Sequence, residues 1–327
     1  MSTRDVRTRD VRGGSVEPRV AAVVVDYDTG ELLEACVRSL LEDGVRQVVV
    51  VENGEEWAAR RALGASAVPL VVTGRNLGYG AGANRGIAAS GGSEYLLVCN
   101  PDLRIHPGAV ATLTAALDAH PDWAVVGPRI VDTAGEVYPS VRRFPSMTDA
   151  AGHALLALLR PDNRFSRRYR DRIGEEPRAV DWVSGACFCA RRSALEELGG
   201  FDEAYFMFAE DIDLCWRAGR AGWGVGVEPH AVVTHVHGAS RRRHPYRMLV
   251  AHHRSALRFQ ARRAQGAERL ALPAAAAVLG VRLGMALAEE ALRRRGSGSG
   301  GGSGRAGGPL TRRHRRRRRA AIRPGRP

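Results

Sequence analysis

Short apolar runs alternate with helical patterns across residues 20–130, and this alternation is the feature that most constrains the fold. The runs VAAVVV, from Val20, and QVVVV, from Gln47, are typical of parallel strands buried on both faces. Between them, apolar residues recur at helical spacing, with Thr29 available as a helix cap and Gly44 available to end the helix. The sequence therefore predicts a βαβ unit at the start of the domain.

The same alternation continues for three more helices and three more strands. This pattern predicts an α/β fold with a doubly wound, mostly parallel sheet and helices on both faces. The predicted helices cover residues 55–63, 84–89 and 107–120, and the predicted strands cover residues 69–72, 95–100 and 123–130.

The charge of the chain is concentrated at its end. The formal net charge is +14, but residues 293–327 contain 13 arginines and no acid, which leaves about +1 for everything before them. A nearly neutral body argues against a basic nucleic-acid-binding protein, which remains the alternative from a different class of function. We expect no specific nucleic-acid partner.

Both ends of the chain differ in composition from the region between them. Residues 1–18 repeat TRDVR and lack the apolar stretch of a secretory signal, so we expect a disordered extension. Residues 266–295 predict an apolar or amphipathic helix that lies on the surface or packs, because Pro273 and Arg282 weaken the case for a membrane span. Residues 296–327 predict a Gly/Ser linker and a polybasic tail suited to an anionic membrane surface.

The cysteines form neither a CxxC pair nor a regularly spaced framework. This pattern predicts reduced thiols in a cytosolic protein and no zinc site. The five are Cys36, Cys99, Cys187, Cys189 and Cys215.

Acids and amides follow several of the predicted strands. The carboxyl ends of strands are where sheets of this kind bind ligands. Each loop alone is better explained by turn formation, but several polar ends together favour a nucleotide site with a metal ion at the phosphates. The residues concerned are Asp26, Tyr27, Asp28, Glu52, Asn53, Asn100 and Asp102.

Two further motifs allow more than one interpretation. GYGAGA contains GxGxxA, but it lies near residue 80 and not after the first strand, which disfavours a dinucleotide-binding dehydrogenase. The stretch AEDIDLCWRAGRAGW places Glu210, Asp211 and Asp213 within four positions. Such acids can complement the dipole of a helix start, or they can carry chemistry.

Six motifs occur in a fixed order across residues 20–260, and together they resemble the inverting glycosyltransferases of the GT-A fold, family 2. They are DYD, EN, NLGYGAGANRG, NPD, GGFDEAYFMFAEDIDL and PHAVVTHVHGAS. The stretches VYPSVRRFPS, VDWVSGACFCARRSA and AHHRS are most similar to rhamnosyltransferases that transfer L-rhamnose from dTDP-rhamnose to polyprenyl-diphosphate N-acetylglucosamine. The resemblance implies a GT-A domain over residues 19–265, with a nucleotide-sugar half at 19–130 and an acceptor half at 131–265.

The resemblance also implies roles for individual residues. Asp211 matches the base that deprotonates the acceptor, and Glu210 matches the residue that orients the acceptor or tunes Asp211. Asp213 is expected to serve the helix. Asp102 and His235 are implied as ligands of Mg²⁺ or Mn²⁺, with His237 as the competing histidine.

The donor and the acceptor are expected to bind at separate groups of residues. Asp26 and Asp28 replace the family's usual asparagines and Glu52 replaces its aspartate, so uridine and thymidine both remain open as the donor nucleoside.

Rival interpretations are a family 2 enzyme with another nucleotide sugar or glycan acceptor and a noncatalytic sugar-binding module. We expect a nucleotide-sugar donor, a lipid-linked acceptor, and a cytoplasmic protein peripheral to the inner face of the cell membrane. The implied nucleotide-binding residues are Asp26, Tyr27, Glu52, Asn76, Gly78 and Asn84, and the implied acceptor-binding residues are Trp182, Gly185 and Asp202.

Overall fold

The computed structural model describes residues 19–64, 66–145, 173–236 and 245–298. The predicted extension at residues 1–18, the alternative histidine His237 and all but the first residues of the predicted linker and tail lie outside these ranges.

The first half of the chain contains every predicted strand and helix, with bounds shifted by a few residues. Thr29 does not cap the first helix: Gly30 occupies the cap position, and the Thr29 side chain donates a hydrogen bond to Asp26. The elements are β1 (Val20–Asp26), α1 (Glu31–Glu42), β2 (Gln47–Glu52), α2 (Glu56–Leu63), β3 (Leu70–Val72), α3 (Tyr79–Ala89), β4 (Tyr95–Cys99), β5 (Leu103–Ile105), α4 (Ala109–Ala119) and β6 (Trp123–Val131).

The second half contributes short strands, one long strand and the helices that carry the acidic motif and the end of the chain. In order they are β7 (Val141–Arg142), β8 (Arg178–Ala179), β9 (Trp182–Val183), β10 (Cys187–Arg191), α5 (Arg192–Glu197), α6 (Glu210–Arg220), β11 (Gly224–His235), α7 (Pro245–Arg263), a 3₁₀ helix (Gly266–Ala271) and α8 (Leu272–Gly298).

The central sheet is mixed. Its order is β3-β2-β1-β4-β10-β6-β11-β5, with β8 paired to β11. The parallel pairing predicted for the first strands is present between β1 and β2, β1 and β4, and β2 and β3. The expectation of a mostly parallel sheet is corrected by β10, which runs antiparallel between β4 and β6, and by β5 and β8, which are antiparallel to β11.

Both faces of the sheet are buried, as the continuous apolar runs predict. Along β1, Ala22 and Val24 belong to one apolar cluster, which includes residues of α1 and α4. Ala21 and Val23 belong to a second cluster on the opposite face, which includes residues of α3 and α6. Since successive strand residues point to opposite faces, an apolar residue at every position supplies both clusters. All five cysteines are free and buried.

One compact unit extends to Leu287, and the described part of a second unit is residues 288–298 of α8. The segment Gly266–Arg294 is long and apolar enough to cross a membrane, with a mean hydropathy of 1.8 over its most apolar window. None of that window is buried among the described residues. This exposure disfavours the packed alternative, and the surface-lying helix stays a prediction.

Candidate active site

Most of the predicted site residues lie at one edge of the sheet, which we call the site edge. The carboxyl ends of β1 and β2 are there, because Asp26 pairs in register with Glu52. The end of β4 and the start of β10 are there as well, since Cys99 pairs with Cys187. The antiparallel direction of β10 thus brings the preceding residues, among them Gly185, to the same edge.

The two acids at the ends of β1 and β2 form a buried pair. Asp26 and Glu52 are almost fully buried and interact with each other. Burial, and then the charge of Asp26, raises the pKa of Glu52 to about 7, while burial raises the pKa of Asp26. The backbone N–H of Ala59 donates a 3.2 Å hydrogen bond to Glu52 Oε2. Glu52 can therefore gain or lose its proton near neutral pH.

The loop after β2 is compact because residue 54 is glycine. A Cβ atom on Gly54 would lie 3.1 Å from Glu52 Oε1 and 3.2 Å from Cε2 of Tyr27. Both distances are shorter than ordinary van der Waals contacts, so a side chain there would displace two predicted nucleotide-binding residues. Gly54 is a site residue that the sequence analysis did not identify.

Buried Asn53 organises the glycine-rich loop before α3. Its Nδ2 donates to the carbonyl of Gly78 at 2.9 Å, and its Oδ1 accepts a 2.9 Å hydrogen bond from the N–H of Leu77. Asn76 Oδ1 accepts a further 2.9 Å bond from the N–H of Gly78. The position of Asn53 at a strand end was visible in the sequence, but its role was not, because its partners are known only once the loop is folded.

Gly78 joins this loop to the segment before α6. Its φ is +96°, and a Cβ atom would lie 2.1 Å from the carbonyl oxygen of Phe206. The next residue, Tyr79, donates its N–H to that same carbonyl at 3.0 Å and its hydroxyl to the carbonyl of Gly185 at 2.7 Å. The α3 start therefore fixes the position of two segments that carry site residues.

The substitution Gly78→Ala is expected to lower the free energy of unfolding by about 2 to 4 kcal/mol, since it adds a steric clash with backbone to an unfavourable φ. Gly64→Ala is the matched control, because Gly64 has a φ of +56° but no atom within 4 Å of the added Cβ. We expect the control to cost about 1 kcal/mol. Chemical denaturation measures both values, and equal losses in the two variants would contradict the steric argument.

Asn84 binds the backbone of the loop that leads to the acidic motif. Its Nδ2 donates to the carbonyl of Phe201 at 3.0 Å, and its Oδ1 accepts from the N–H of Phe201 at 2.9 Å. Gly200 allows this approach, since a Cβ there would lie 2.5 Å from Asn84 Oδ1. The geometry favours a positioning role for Asn84 over the nucleotide contact expected for it.

Asp211 lies in the first turn of α6 with its carboxylate held at both oxygens. Its Oδ2 accepts a 2.8 Å hydrogen bond from the N–H of Gly185, and its Oδ1 accepts a 2.8 Å bond from the N–H of Ile212. Burial raises the pKa of Asp211, although these donors and the charge of Arg142 act in the opposite direction. The side chain remains partly accessible. An oriented, accessible carboxylate of raised pKa is suited to accept a proton.

Glu210 is more deeply buried than Asp211. Among the described residues, its Oε2 has no hydrogen-bond partner. Burial, and then the charge of Asp211, raises the pKa of Glu210 well above its usual range. A glutamic acid that keeps its proton at neutral pH adds no repulsion to an ionised Asp211, which resolves the crowding of acids seen in the sequence.

The backbone before these acids has an unusual conformation. Phe208 and Ala209 have φ values of +67° and +65°, in the left-handed region that disfavours residues with a Cβ atom. Such residues cost about 1 to 3 kcal/mol each and persist where the surrounding structure fixes them. The residue before them, Met207, is fixed by the surrounding structure, since Ser255 Oγ donates a 2.9 Å hydrogen bond to its carbonyl.

The third acid of the motif has structural partners. Asp213 is fully buried, and its Oδ2 accepts a 2.7 Å hydrogen bond from Arg217 Nε. The hydroxyl of Tyr205 donates to Asp213 Oδ1 at 3.2 Å. This arrangement agrees with the expectation that Asp213 serves the helix.

Asp102 and His235 lie side by side where β5 begins and β11 ends. Asp102 Oδ1 and His235 Nε2 are 2.9 Å apart, because β5 and β11 are antiparallel neighbours. A carboxylate oxygen beside an imidazole nitrogen suits a divalent cation that takes its other ligands from phosphate and water. No group of three or more candidate metal-binding side chains occurs within the described residues. Within these residues, Asp102 and His235 are the pair that could hold such an ion.

Comparisons with known proteins identify the family. A sequence profile described as glycosyltransferase-like family 2 matches residues 18–256. The chain belongs to this family. It is 39% identical over 259 residues to the N-acetylglucosaminyl-diphospho-decaprenol L-rhamnosyltransferase of Mycobacterium tuberculosis (strain ATCC 25618 / H37Rv), an alignment that covers 75% of this chain and 84% of that relative.

Solved structures of other glycosyltransferases share the GT-A fold with this glycosyltransferase. The mannosyltransferase PcManGT from Pyrobaculum calidifontis, in complex with GDP-Man and Mn²⁺, aligns with a TM-score of 0.52 at 19% identity and covers 87% of this chain and 81% of that one. GalNAc-T7 with UDP, GalNAc and Mn²⁺ aligns with a TM-score of 0.51 at 14% identity and covers 68% and 45% of the two chains.

The residues expected to bind the acceptor fall in different places in the glycosyltransferase. Gly185 lies beside the start of α6, since its N–H donates a hydrogen bond to Asp211. Trp182 is buried, and its Nε1 donates to the carbonyl of Arg143 at 3.3 Å. Asp202 forms ion pairs with Arg258 and Arg262 on α7. Burial opposes its ionisation, but the N–H of Ala204 and the guanidinium of Arg258 outweigh burial and lower the pKa of Asp202.

Proposed function

We propose that this glycosyltransferase transfers L-rhamnose from dTDP-rhamnose to a polyprenyl-diphosphate-linked N-acetylglucosamine, with inversion at the anomeric carbon. The observation that carries the chemistry is the Asp211 carboxylate, held at the start of α6 by the N–H groups of Gly185 and Ile212. The sugar and the acceptor are taken from the rhamnosyltransferase of Mycobacterium tuberculosis, which is 39% identical.

Asp211 acts as the general base in this mechanism. It removes the proton from the acceptor hydroxyl as that oxygen forms a bond to the anomeric carbon, and the bond from that carbon to the diphosphate oxygen breaks on the opposite face. A placed base of this kind contributes roughly 10² to 10⁴ in rate. Glu210, neutral beside it, orients the acceptor or tunes Asp211.

Asp102 and His235 would hold a Mg²⁺ or Mn²⁺ ion, which offsets the charge of the departing nucleoside diphosphate. In support of this, Asp102 Oδ1 and His235 Nε2 are 2.9 Å apart, so that an oxygen and a nitrogen atom lie side by side. The relatives of known structure support this proposal, since both are described with Mn²⁺.

The nucleoside is expected to bind at the Asp26 and Glu52 pair and beside Tyr27. An ionised Glu52 can accept a hydrogen bond from the ring N–H of a thymine or uracil. A protonated Glu52 would accept it less well. Asn76 and Gly78 shape the adjoining loop through their mutual hydrogen bond. Asn84 positions the acceptor side of the site through its contacts with Phe201.

The proposed function is tested by offering a panel of nucleotide sugars with a short polyprenyl-diphosphate N-acetylglucosamine acceptor. We expect transfer from dTDP-rhamnose, with the product in the opposite anomeric configuration to the donor. Preference for another nucleotide sugar would assign the chain to the alternative family 2 activity. Binding of the sugars without any transfer would favour the noncatalytic sugar-binding module.

We further propose that the protein is cytoplasmic and contacts the inner face of the cell membrane. The apolar side chains of Leu270, Val281 and Met285 are exposed by 84%, 65% and 52%, and the arginine-rich end of the chain favours anionic lipid. Removing residues 296–327 is expected to weaken sedimentation with anionic vesicles and to leave turnover of a soluble acceptor unchanged. Unchanged vesicle binding would assign the contact to the helix instead.

A further inference from the structure

An open groove of about 1210 Å³ lies between α7 and the segment that precedes the acidic motif. Phe206 and Ala204 form one wall, and most of the other lining residues belong to α7. The wall is continuous with the site, because the carbonyl of Phe206 binds the N–H of Tyr79 and the next residue, Met207, is bound by Ser255 of the groove. A ligand in the groove would therefore lie beside the entry to α6.

The α7 side of the groove is strongly cationic. Arg247, Arg254, Arg258 and Arg262 line it, and their spacings of seven and four residues place them on one face of the helix. Arg258 and Arg262 share Asp202 as a partner. Within the described residues, Arg247 and Arg254 have no carboxylate partner. The groove thus presents two exposed guanidinium groups that no acid of the described residues neutralises.

The same groove is also partly apolar. Tyr246, Val250 and Leu257 line it together with the arginines. Guanidinium groups bind phosphate in a bidentate manner, whereas aliphatic and aromatic side chains bind hydrocarbon. This combination complements an amphiphile whose anionic phosphates adjoin a hydrocarbon chain. A polynucleotide would instead gain from stacking surfaces along a cationic track.

We propose that this groove binds the diphosphate and the first isoprene units of the lipid-linked acceptor, with Arg247 and Arg254 on the phosphates. The proposal rests on the proposed function, which supplies an acceptor of that chemistry. It adds a location: in such an acceptor the sugar is attached directly to the diphosphate, so phosphates held in the groove leave the sugar next to the start of α6. Arg258 has a supporting role, because it is paired with Asp202 and lies over the ring of Tyr205.

The test measures equilibrium binding of a farnesyl-diphosphate-linked N-acetylglucosamine to the full chain, which needs no turnover. We expect the double variant Arg247→Gln, Arg254→Gln to bind this probe at least about tenfold more weakly, since each arginine contributes charge-assisted hydrogen bonds. Affinity for dTDP is expected to stay unchanged, which also shows that the variant is folded. Arg46→Gln is the matched control, because Arg46 is exposed at the opposite edge of the sheet and should have no effect.

A neutral farnesyl glycoside of N-acetylglucosamine separates phosphate recognition from other losses. Wild type and double variant should bind it equally weakly. A similar loss for the neutral and the charged probe, or no loss for either, would overturn the proposal. Weaker binding to anionic vesicles with unchanged affinity for the soluble probe would also overturn it and would make the groove a contact for lipid headgroups.

The outcome can be separated from that of the proposed function. Binding that depends on the arginines would uphold the groove even if no sugar were transferred from dTDP-rhamnose. If the double variant instead transferred sugar with an unchanged affinity and Michaelis constant for the diphosphate acceptor, that result would uphold the proposed activity and refute the proposed role of the groove.

Discussion

Replacing Asp211 with asparagine is expected to lower kcat by at least about a hundredfold and to leave the affinity for dTDP unchanged. The amide has nearly the same shape and can still accept the N–H of Gly185, which the carboxylate accepts at 2.8 Å. It cannot take a proton from the acceptor hydroxyl. Steady-state kinetics with a soluble acceptor, together with calorimetric titration of dTDP, measure the two quantities.

Asp213→Asn is the control for this substitution, since it makes the same chemical change two residues away. Asp213 is fully buried and paired with Arg217, so we expect its substitution to lower stability more than Asp211→Asn, which loses only one of its two accepted N–H groups. Near-normal turnover by Asp211→Asn would remove Asp211 as the base. A large loss of stability in that variant would instead indicate a structural role.

The pH dependence of the wild-type enzyme gives an independent check on the base. Asp211 must be ionised to accept a proton, so activity is expected to fall as pH is lowered through its pKa. Because burial raises the pKa of Asp211, this fall should occur at higher pH than for an ordinary aspartate. An acidic limb at or below the usual aspartate range would contradict this environment.

The parts of the fold that were predictable are those encoded locally. The alternation of apolar runs and helical patterns located β1 to β4 in order, because an apolar strand buried on both faces leaves a continuous signal. The antiparallel direction of β10 was not predictable. Its run CFCAR has the same apolar character as a parallel strand, and only its pairing with β4 and β6 reveals its direction.

The site shows the same division between local and distant information. The acids at the strand ends were identified because a parallel sheet brings such ends together. The roles of Asn53 and Asn84 depend on partners far along the chain, and that of Gly54 on its approach to Tyr27; Asn84 binds Phe201 at a separation of 117 residues. No local pattern reports a contact of that kind, so these residues needed the folded structure.

Removal of divalent cations is expected to lower the rate of transfer at least about a hundredfold, because the diphosphate would then leave with its charge uncompensated. In the chain itself, Asp102→Ala is expected to weaken the binding of dTDP much more than that of thymidine. The reason is that a cation held by Asp102 and His235 acts on the phosphates and not on the base. Titrations of both ligands, with and without Mn²⁺, measure the difference.

Asp122→Ala is the matched control for this last substitution, because Asp122 is exposed and lies just before the amino end of β6, away from the site edge. It should change neither affinity. His235→Ala should resemble Asp102→Ala, since the two side chains are 2.9 Å apart and would share one ion. If Asp102→Ala weakened dTDP and thymidine equally, Asp102 would be supporting the fold through its contact with β11, and the proposed metal pair would be wrong.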